Sequence, residues 1–233
     1  MGQEDARVLS DVPIRDAATV IVVRDAATHP RLLMGQRGRS AVFMPDKYVF
    51  PGGAVDPGDT HVQLSHPLNP VCRRRLERPG APPAHALAVA AIRELWEETG
   101  QVLGRSGVWP DPPADWAGFA ATGHVPDASG LSYVFRAITP PGRPRRFDAR
   151  FFLLDAAALV SDPDDFSGAC EELSHLHWVG LDDARHLDLP FITSVVLGEL
   201  HAHLPRLGQP DRVPFFRNDD LSTVADEASL PEE

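Results

Sequence analysis

Arg93-Glu94-Leu95-Trp96-Glu97-Glu98-Thr99-Gly100 decides how this chain is read. Its glutamates stand at i, i+3 and i+4. On a helix these positions share one face, with neighbouring Cβ atoms roughly 5–6 Å apart. Like charges at that spacing repel, so a purely structural helix gains nothing from gathering them. Glu-rich faces also occur on ordinary solvated helices, and the triplet by itself does not exclude one. A divalent cation reverses the sign of the interaction. Mg²⁺ is a hard ion that takes carboxylate oxygens and keeps several waters beside a phosphate-bearing ligand. Gly100 then ends the helix, where a residue without Cβ turns left-handed at no steric cost.

Upstream, the pattern predicts a helix from Pro83 to Thr99. Leu87, Ala91 and Leu95 fall on one apolar stripe, with Ala88, Ile92 and Trp96 beside it and the glutamates on another face. Ala18 to Arg24 is β-branched and almost wholly apolar, which predicts a buried strand. Arg31 to Gln36 reads as its hairpin partner, and Tyr48-Val49-Phe50 as a short strand running into a Pro51-Gly52-Gly53 turn. Residues 60–84 are Pro-rich and basic, a loop excursion that includes Arg73-Arg74-Arg75 and has room for a helical turn. Residues 104–128 read as loop with a short helix near Ala114 to Ala121. Further strands are expected at Leu131–Ile138, Arg146–Leu154 and Leu173–Val179, and helices from Leu181 and over Phe191–Leu204. This organisation places an arm at 1–14, one domain over 15–205, and a C-terminal segment at 206–233 with an acidic tail.

The chain has 233 residues, 43% of them hydrophobic, and a net charge of −11. That length and apolar content suffice for one well-packed domain. The acidic balance argues against nucleic acid as a partner, because such binding draws on a basic surface. A small anionic ligand held through a cation and a few arginines stays compatible with it. Cys72 and Cys170 form no paired motif, which predicts a reducing, cytoplasmic setting without a disulfide framework. The apolar run Ala17–Val23 is too short to span a bilayer, and no signal-like segment opens the chain, so no membrane partner is expected.

Gly52-Gly53-Ala54-Val55-Asp56-Pro57-Gly58-Asp59 precedes the helix. Together with Arg93 to Gly100 it resembles the Nudix box, G-x5-E-x7-R-E-U-x-E-E-x-G-U with U aliphatic. Gly53 opens the pattern, and Asp59 stands where the family has Glu. Arg93, Glu94, Leu95, Glu97, Glu98 and Gly100 match the second half, while Gln101 replaces an apolar residue that Val102 supplies one position later. Between Asp59 and Arg93 lie 33 residues where the pattern has seven, so the box carries an insertion of 26. Long surface excursions add little closure entropy, and Pro82-Pro83 suits the return to a helix start. One branch of Nudix hydrolases carries an insertion at this point, including peroxisomal coenzyme A diphosphatases. Arg37-Gly38-Arg39, Phe43-Met44-Pro45, Thr139-Pro140 and Arg145-Arg146-Phe147-Asp148 resemble other landmarks of that branch.

The resemblance implies an α+β fold, a mixed β-sheet sandwiched between α-helices in α/β/α layers. It also implies hydrolysis of a diphosphate in a nucleoside diphosphate linked to another moiety, with Mg²⁺ or Mn²⁺ as cofactor. Glu97 and Glu98 are the expected metal ligands, and Glu94 is either a ligand or the base that activates water. Arg93 braces a glutamate by an ion pair. Gly53 lets the backbone approach metal or phosphate, and Gly52 shapes the turn. Glu171 or Glu172, with Glu172 favoured, adds a carboxylate from outside the box. Arg37, Arg39, Arg145 and Arg146 are candidate phosphate contacts, since a guanidinium fork suits phosphate oxygens. Phe43, Phe147 and Trp109 are candidates to stack on a base. The branch suggests coenzyme A or acyl-coenzyme A as substrate. However, Lys47 and Tyr48 occupy positions where the coenzyme A signature has glycine, so ADP-ribose, NADH and dinucleotides stay open. A Nudix module that binds a ligand without catalysis is the competing class, and a homodimer is left open. The three intact box glutamates favour the enzyme.

Overall fold

The computed structural model describes residues 12–39, 41–201, 204, 207–217 and 224–226. Its spine is strand β1 (Ile14–Arg24). Val20-Ile21-Val22-Val23 within it is fully buried, as expected of a central strand covered on both faces. Strand β2 (Arg31–Arg37) pairs antiparallel with β1, and β3 (Tyr48–Val49) pairs with β2. Strand β4 (Gly52–Ala54) pairs antiparallel with β1 through Ala17↔Ala54 and Thr19↔Gly52. Gly52 and Gly53 therefore lie in a strand and not in the predicted turn. A 3₁₀ turn (Pro57–Thr60) and helix α1 (Pro70–Leu76) follow, then helix α2 (Ala84–Thr99). Strands β5 (Gly104–Ser106) and β6 (His124–Pro126) form a small ribbon around helix α3 (Ala117–Ala121).

The sheet continues with β7 (Ser132–Ile138), β8 (Arg146–Asp155) and β9 (Leu173–Gly180). Helices α4 (Leu181–Ala184) and α5 (Phe191–Leu200) come next, and strands β10 (Pro214–Phe216) and β11 (Val224–Asp226) close the order. In space the strands run β11-β10-β7-β8-β1-β2-β3, with β4 on β1 and β9 on β2. β8 runs parallel to β1 and antiparallel to β7, so the sheet is mixed.

Side-chain alternation sends alternate apolar residues to opposite faces. Val20, Val22, Leu33, Tyr133 and Phe152 join the core beneath α2. Ile21, Val23, Leu32, Phe135 and Phe151 join a second core with Val196, Leu197 and Leu200 of α5. The molecule is α+β, with the sheet between helices, as predicted.

Three-residue strands are where the sequence reading falls short. β5 and β6 stand inside a predicted loop, and the helix predicted to Leu204 ends at Leu200. The sheet also extends past residue 205, through β10 on β7 and β11 on β10. Most of the predicted arm and tail lies outside the described residues. The insertion is ordered by α1. Asn69 caps it by accepting from Val71 N–H, and Pro70 fills its first turn. Arg75 donates to the carbonyls of Pro210 and Asp211, and the Cys72 thiol donates to Gln209 Oε1. The insertion thus packs against the C-terminal segment. Among the described residues, none from 60–84 lines the cleft beside α2.

Candidate active site

Helix α2 carries the site. Its apolar stripe is buried against the sheet, which turns Glu94 and Glu98 toward β4. Gly100 adopts φ 72° and donates its N–H to Trp96 O, the left-handed stop expected there. Gln101, the departure from the aliphatic pattern, is fully buried, yet its amide donates to the carbonyls of Asp162 and Asp165 and accepts from Ser161. Val102 fills the apolar role beside it.

Arg93 is the hub. Its Nε and Nη2 reach the two Asp59 oxygens at 3.0 and 3.1 Å. Nη1 donates to Glu94 at 2.8 Å and Glu97 at 3.2 Å, and Nη2 also donates to Ala54 O. Burial pulls the Arg93 pKa down, but the Asp59 bond and the Glu94 charge outweigh it and hold the guanidinium protonated. Asp59, a methylene shorter than Glu, still spans to Arg93. The 3₁₀ turn brings it inward, with Asp56 N–H donating back to Asp59 Oδ2 at 2.8 Å. Asp59 is 2% exposed.

The glycines answer to the glutamates. A β-carbon on Gly53 would lie 2.3 Å from Glu94 Oε1, and one on Gly52 would lie 2.6 Å from Ala18 O. Gly52 N–H donates to Glu98 Oε2 at 2.7 Å. Burial pushes the Glu94 carboxyl up to about 7, partly offset by Arg93. Burial and the neighbouring Glu94 push Glu98 well above the usual carboxylate range, against the pull of the Gly52 N–H. Burial also raises Glu97, opposed by Arg93.

A cleft of about 260 Å³ opens beside this helix. Glu94, Gly52, Gly53, Arg37 and Glu172 line it, as do Phe43, Thr139, Arg145, Phe147 and Arg15. Arg37 Nη2 donates to Glu172 Oε1 at 2.8 Å. Phe43 packs edge-on against Phe147, with centroids 5.4 Å apart. The floor is set by register. Parallel pairing of β1 with β8 puts Arg15 beside Phe147, Ala17 beside Ala149, and Thr19 beside Phe151. Arg15 drew no attention in the sequence, because only this pairing brings it to the cleft.

Other candidates fall elsewhere. Arg39 is almost fully exposed and pairs with Asp46, and Arg146 donates to Thr139 O; neither lines the cleft. Glu171 does not line it either, and Trp109 packs on Trp116 away from it. His175 and His177 are exposed on β9, where His177 Nδ1 meets His175 O.

Among the described residues, no three His, Cys, Asp or Glu side chains stand close enough to enclose a metal ion together. The donor chemistry still fits a hard divalent cation. It is all oxygen, and the carboxylates crowd one another: Glu172 helps to raise both Glu94 and Glu98, and Glu94 helps to raise Glu98. A cation beside them would favour the ionised forms of Glu94 and Glu98.

The chain is 30% identical to a Nudix hydrolase from Alicyclobacillus acidocaldarius, whose crystal structure matches with a TM-score of 0.64 over 86% of this chain and 99% of that one. It is also 30% identical to nudix hydrolase 7 of Caenorhabditis elegans, covering 71% of this chain and 51% of that protein. Acyl-coenzyme A diphosphatase NUDT19 of Gallus gallus is 28% identical, covering 63% and 53% respectively. The chain spans about half the length of these curated relatives. No protein-family model matches it. The chain belongs to the Nudix hydrolases, the class its fold and box residues define. No described helix is long and apolar enough to cross a membrane.

Proposed function

We propose that this Nudix hydrolase splits a nucleoside diphosphate linked to another group, with coenzyme A or an acyl-coenzyme A as the substrate. The observation that carries the reading is the meeting of Glu94, Glu172 and Arg37 in one cleft beside buried Glu98. Glu97, Glu98 and Glu172 would hold Mg²⁺ or Mn²⁺, which when bound supplies charge neutralisation at the phosphate and a more acidic water. Glu94 lines the cleft with its carboxyl near 7, so it is poised to take a proton from the attacking water. Attack at one phosphorus breaks the anhydride P–O bond and leaves two phosphate-bearing products. Arg93 keeps Glu94 and Glu97 in place, and Arg37 and Arg145 meet phosphate oxygens.

The substrate class draws on two supports. One relative is named an acyl-coenzyme A diphosphatase. The cleft is also lined by three arginines. Arg15 and Arg145 add to Arg37, and coenzyme A carries a phosphate beyond its diphosphate. The shallow Ala17–Ala149 floor with Phe43 and Phe147 beside it suits a planar base. The test is product release from coenzyme A, acyl-coenzyme A, ADP-ribose, NADH and dinucleoside polyphosphates, with Mg²⁺ or Mn²⁺. Preferred cleavage of coenzyme A to 3′-phospho-AMP and a phosphopantetheine supports the reading. Preference for another member keeps the chemistry and discards the substrate. Tight binding without cleavage moves the protein to the ligand-binding class.

A further inference from the structure

Arg37 and Glu172 are 135 positions apart in sequence and joined by one bond. Arg37 ends β2, lines the cleft, and has a side chain only 17% exposed. Its Nε is buried without a hydrogen-bond partner. A guanidinium carries five N–H donors in a fixed fork, and an unused buried donor costs free energy. Arg93, in the same site, has Nε, Nη1 and Nη2 all bonded. Arg37 is therefore under-used for a structural arginine, and the space it borders is the cleft.

Glu172 is its opposite. It sits just before β9 with its side chain 55% exposed. While bonded to Arg37, its charge also bears on Glu94 and Glu98, whose carboxyls it helps to raise. The carboxylate thus stands between one cation that holds it and two carboxylates that repel it.

We propose that substrate exchanges the partners of this pair. Phosphate oxygens of the bound diphosphate take over the Arg37 guanidinium, and the released Glu172 carboxylate turns to join Glu97 and Glu98. Phosphate wins because it carries more charge and accepts the fork at two oxygens, whereas Glu172 uses one and is half in water. The exchange makes the carboxylate cluster complete only when a substrate has arrived. The inference rests on reading the cleft as a diphosphate site.

The test uses inorganic pyrophosphate and the EDTA-treated protein, with binding followed by calorimetry and no catalysis involved. Glu172→Gln removes the competitor and should tighten pyrophosphate binding ~2–5-fold, the scale of a half-exposed ion pair. Arg37→Ala should weaken it ~10-fold or more, as loss of a charge-assisted bond does. The deciding variant is Arg37→Ala/Glu172→Gln. The exchange predicts that it binds no tighter than Arg37→Ala alone, since Glu172 acts through Arg37. Equal tightening by Glu172→Gln in both backgrounds means simple repulsion and overturns the exchange. Absence of any tightening overturns it too, as does failure of the wild type to bind pyrophosphate. Arg37→Gln, which keeps most of the side-chain volume, serves if Arg37→Ala does not fold. Coupling in a protein that hydrolyses no nucleotide would keep the exchange and reject the diphosphatase reading. Hydrolysis without coupling would do the reverse.

Discussion

A β-carbon on Gly53 would sit inside the Glu94 carboxylate, 2.3 Å from Oε1. The glycine is demanded by a side chain and not by its own backbone angle. Gly53→Ala should therefore displace Glu94 and lower kcat/KM by roughly 10–100-fold, while overpacking costs only about 1–3 kcal/mol of stability. Steady-state kinetics beside a thermal melt check this, and unchanged kinetics would remove Glu94 from the site. Glu98 poses the complementary case. It is 2% exposed, raised by burial, and held by the Gly52 N–H. Glu98→Gln keeps the shape and removes the charge. The metal-free variant should melt higher than wild type at about pH 8, where the wild-type carboxyl is under pressure to ionise. Turnover with Mg²⁺ should fall by orders of magnitude. A variant that melts lower and turns over normally would sink both the electrostatic argument and the metal assignment.

At the scale of elements, the 3₁₀ turn and helix α2 are fastened by a single buried pair. Asp59 offers both oxygens to Arg93, and each side chain is almost wholly buried. Breaking such a pair from one side leaves an uncompensated buried charge, at a cost of about 3–5 kcal/mol. Asp59→Ala is expected to lose that much in urea unfolding, and Asp59→Glu much less. Equal, small losses in both would mean that Glu94 and Glu97 alone can hold Arg93. The sequence marks Asp59 as a departure from the pattern. The tertiary structure shows that it reaches: Asp59 meets Arg93 with both oxygens while its Oδ2 also accepts the Asp56 N–H within the turn. The same reasoning accounts for the insertion. Its proline and arginine content reads as a solvated loop, yet Arg75 spends its fork on two backbone carbonyls of the C-terminal segment. No local pattern announces a partner 135 residues away.

The whole molecule feels the carboxylate cluster through its pH dependence. The ordinary Glu pKa is 4.5, and the folded Glu94 sits near 7 with Glu98 also raised. Between those values the folded protein binds more protons than the unfolded chain. Stability is then fully present below about pH 4.5 for these groups and is lost as pH rises through about 7. EDTA-treated protein should accordingly show a Tm that falls between about pH 5 and about pH 8. Mg²⁺ or Mn²⁺ should flatten that fall, because a cation that binds the ionised folded state stabilises it. Glu98→Gln should shrink the slope in the metal-free protein. A Tm that climbs across this range in EDTA would contradict the assigned shifts.

Local periodicity by itself determined the helix over Pro83–Thr99, its Gly100 stop, the buried β1 strand, and the gathering of three glutamates on one face. Each is encoded within a few neighbouring residues, where spacing and side-chain shape act directly. Only the tertiary structure decided which arginines meet the cleft. Arg15 and Arg145 line it while Arg39 stands in solvent, and a surface arginine looks the same in sequence wherever it points. The strand made by Gly52 and Gly53 and the ribbon of β5 and β6 were likewise out of reach. A strand of three residues holds together through its partner, and the partner is chosen by the fold. Glu172 belongs with these: its place before β9 was legible, but its choice between Arg37 and the box glutamates exists only once the sheet has brought them together.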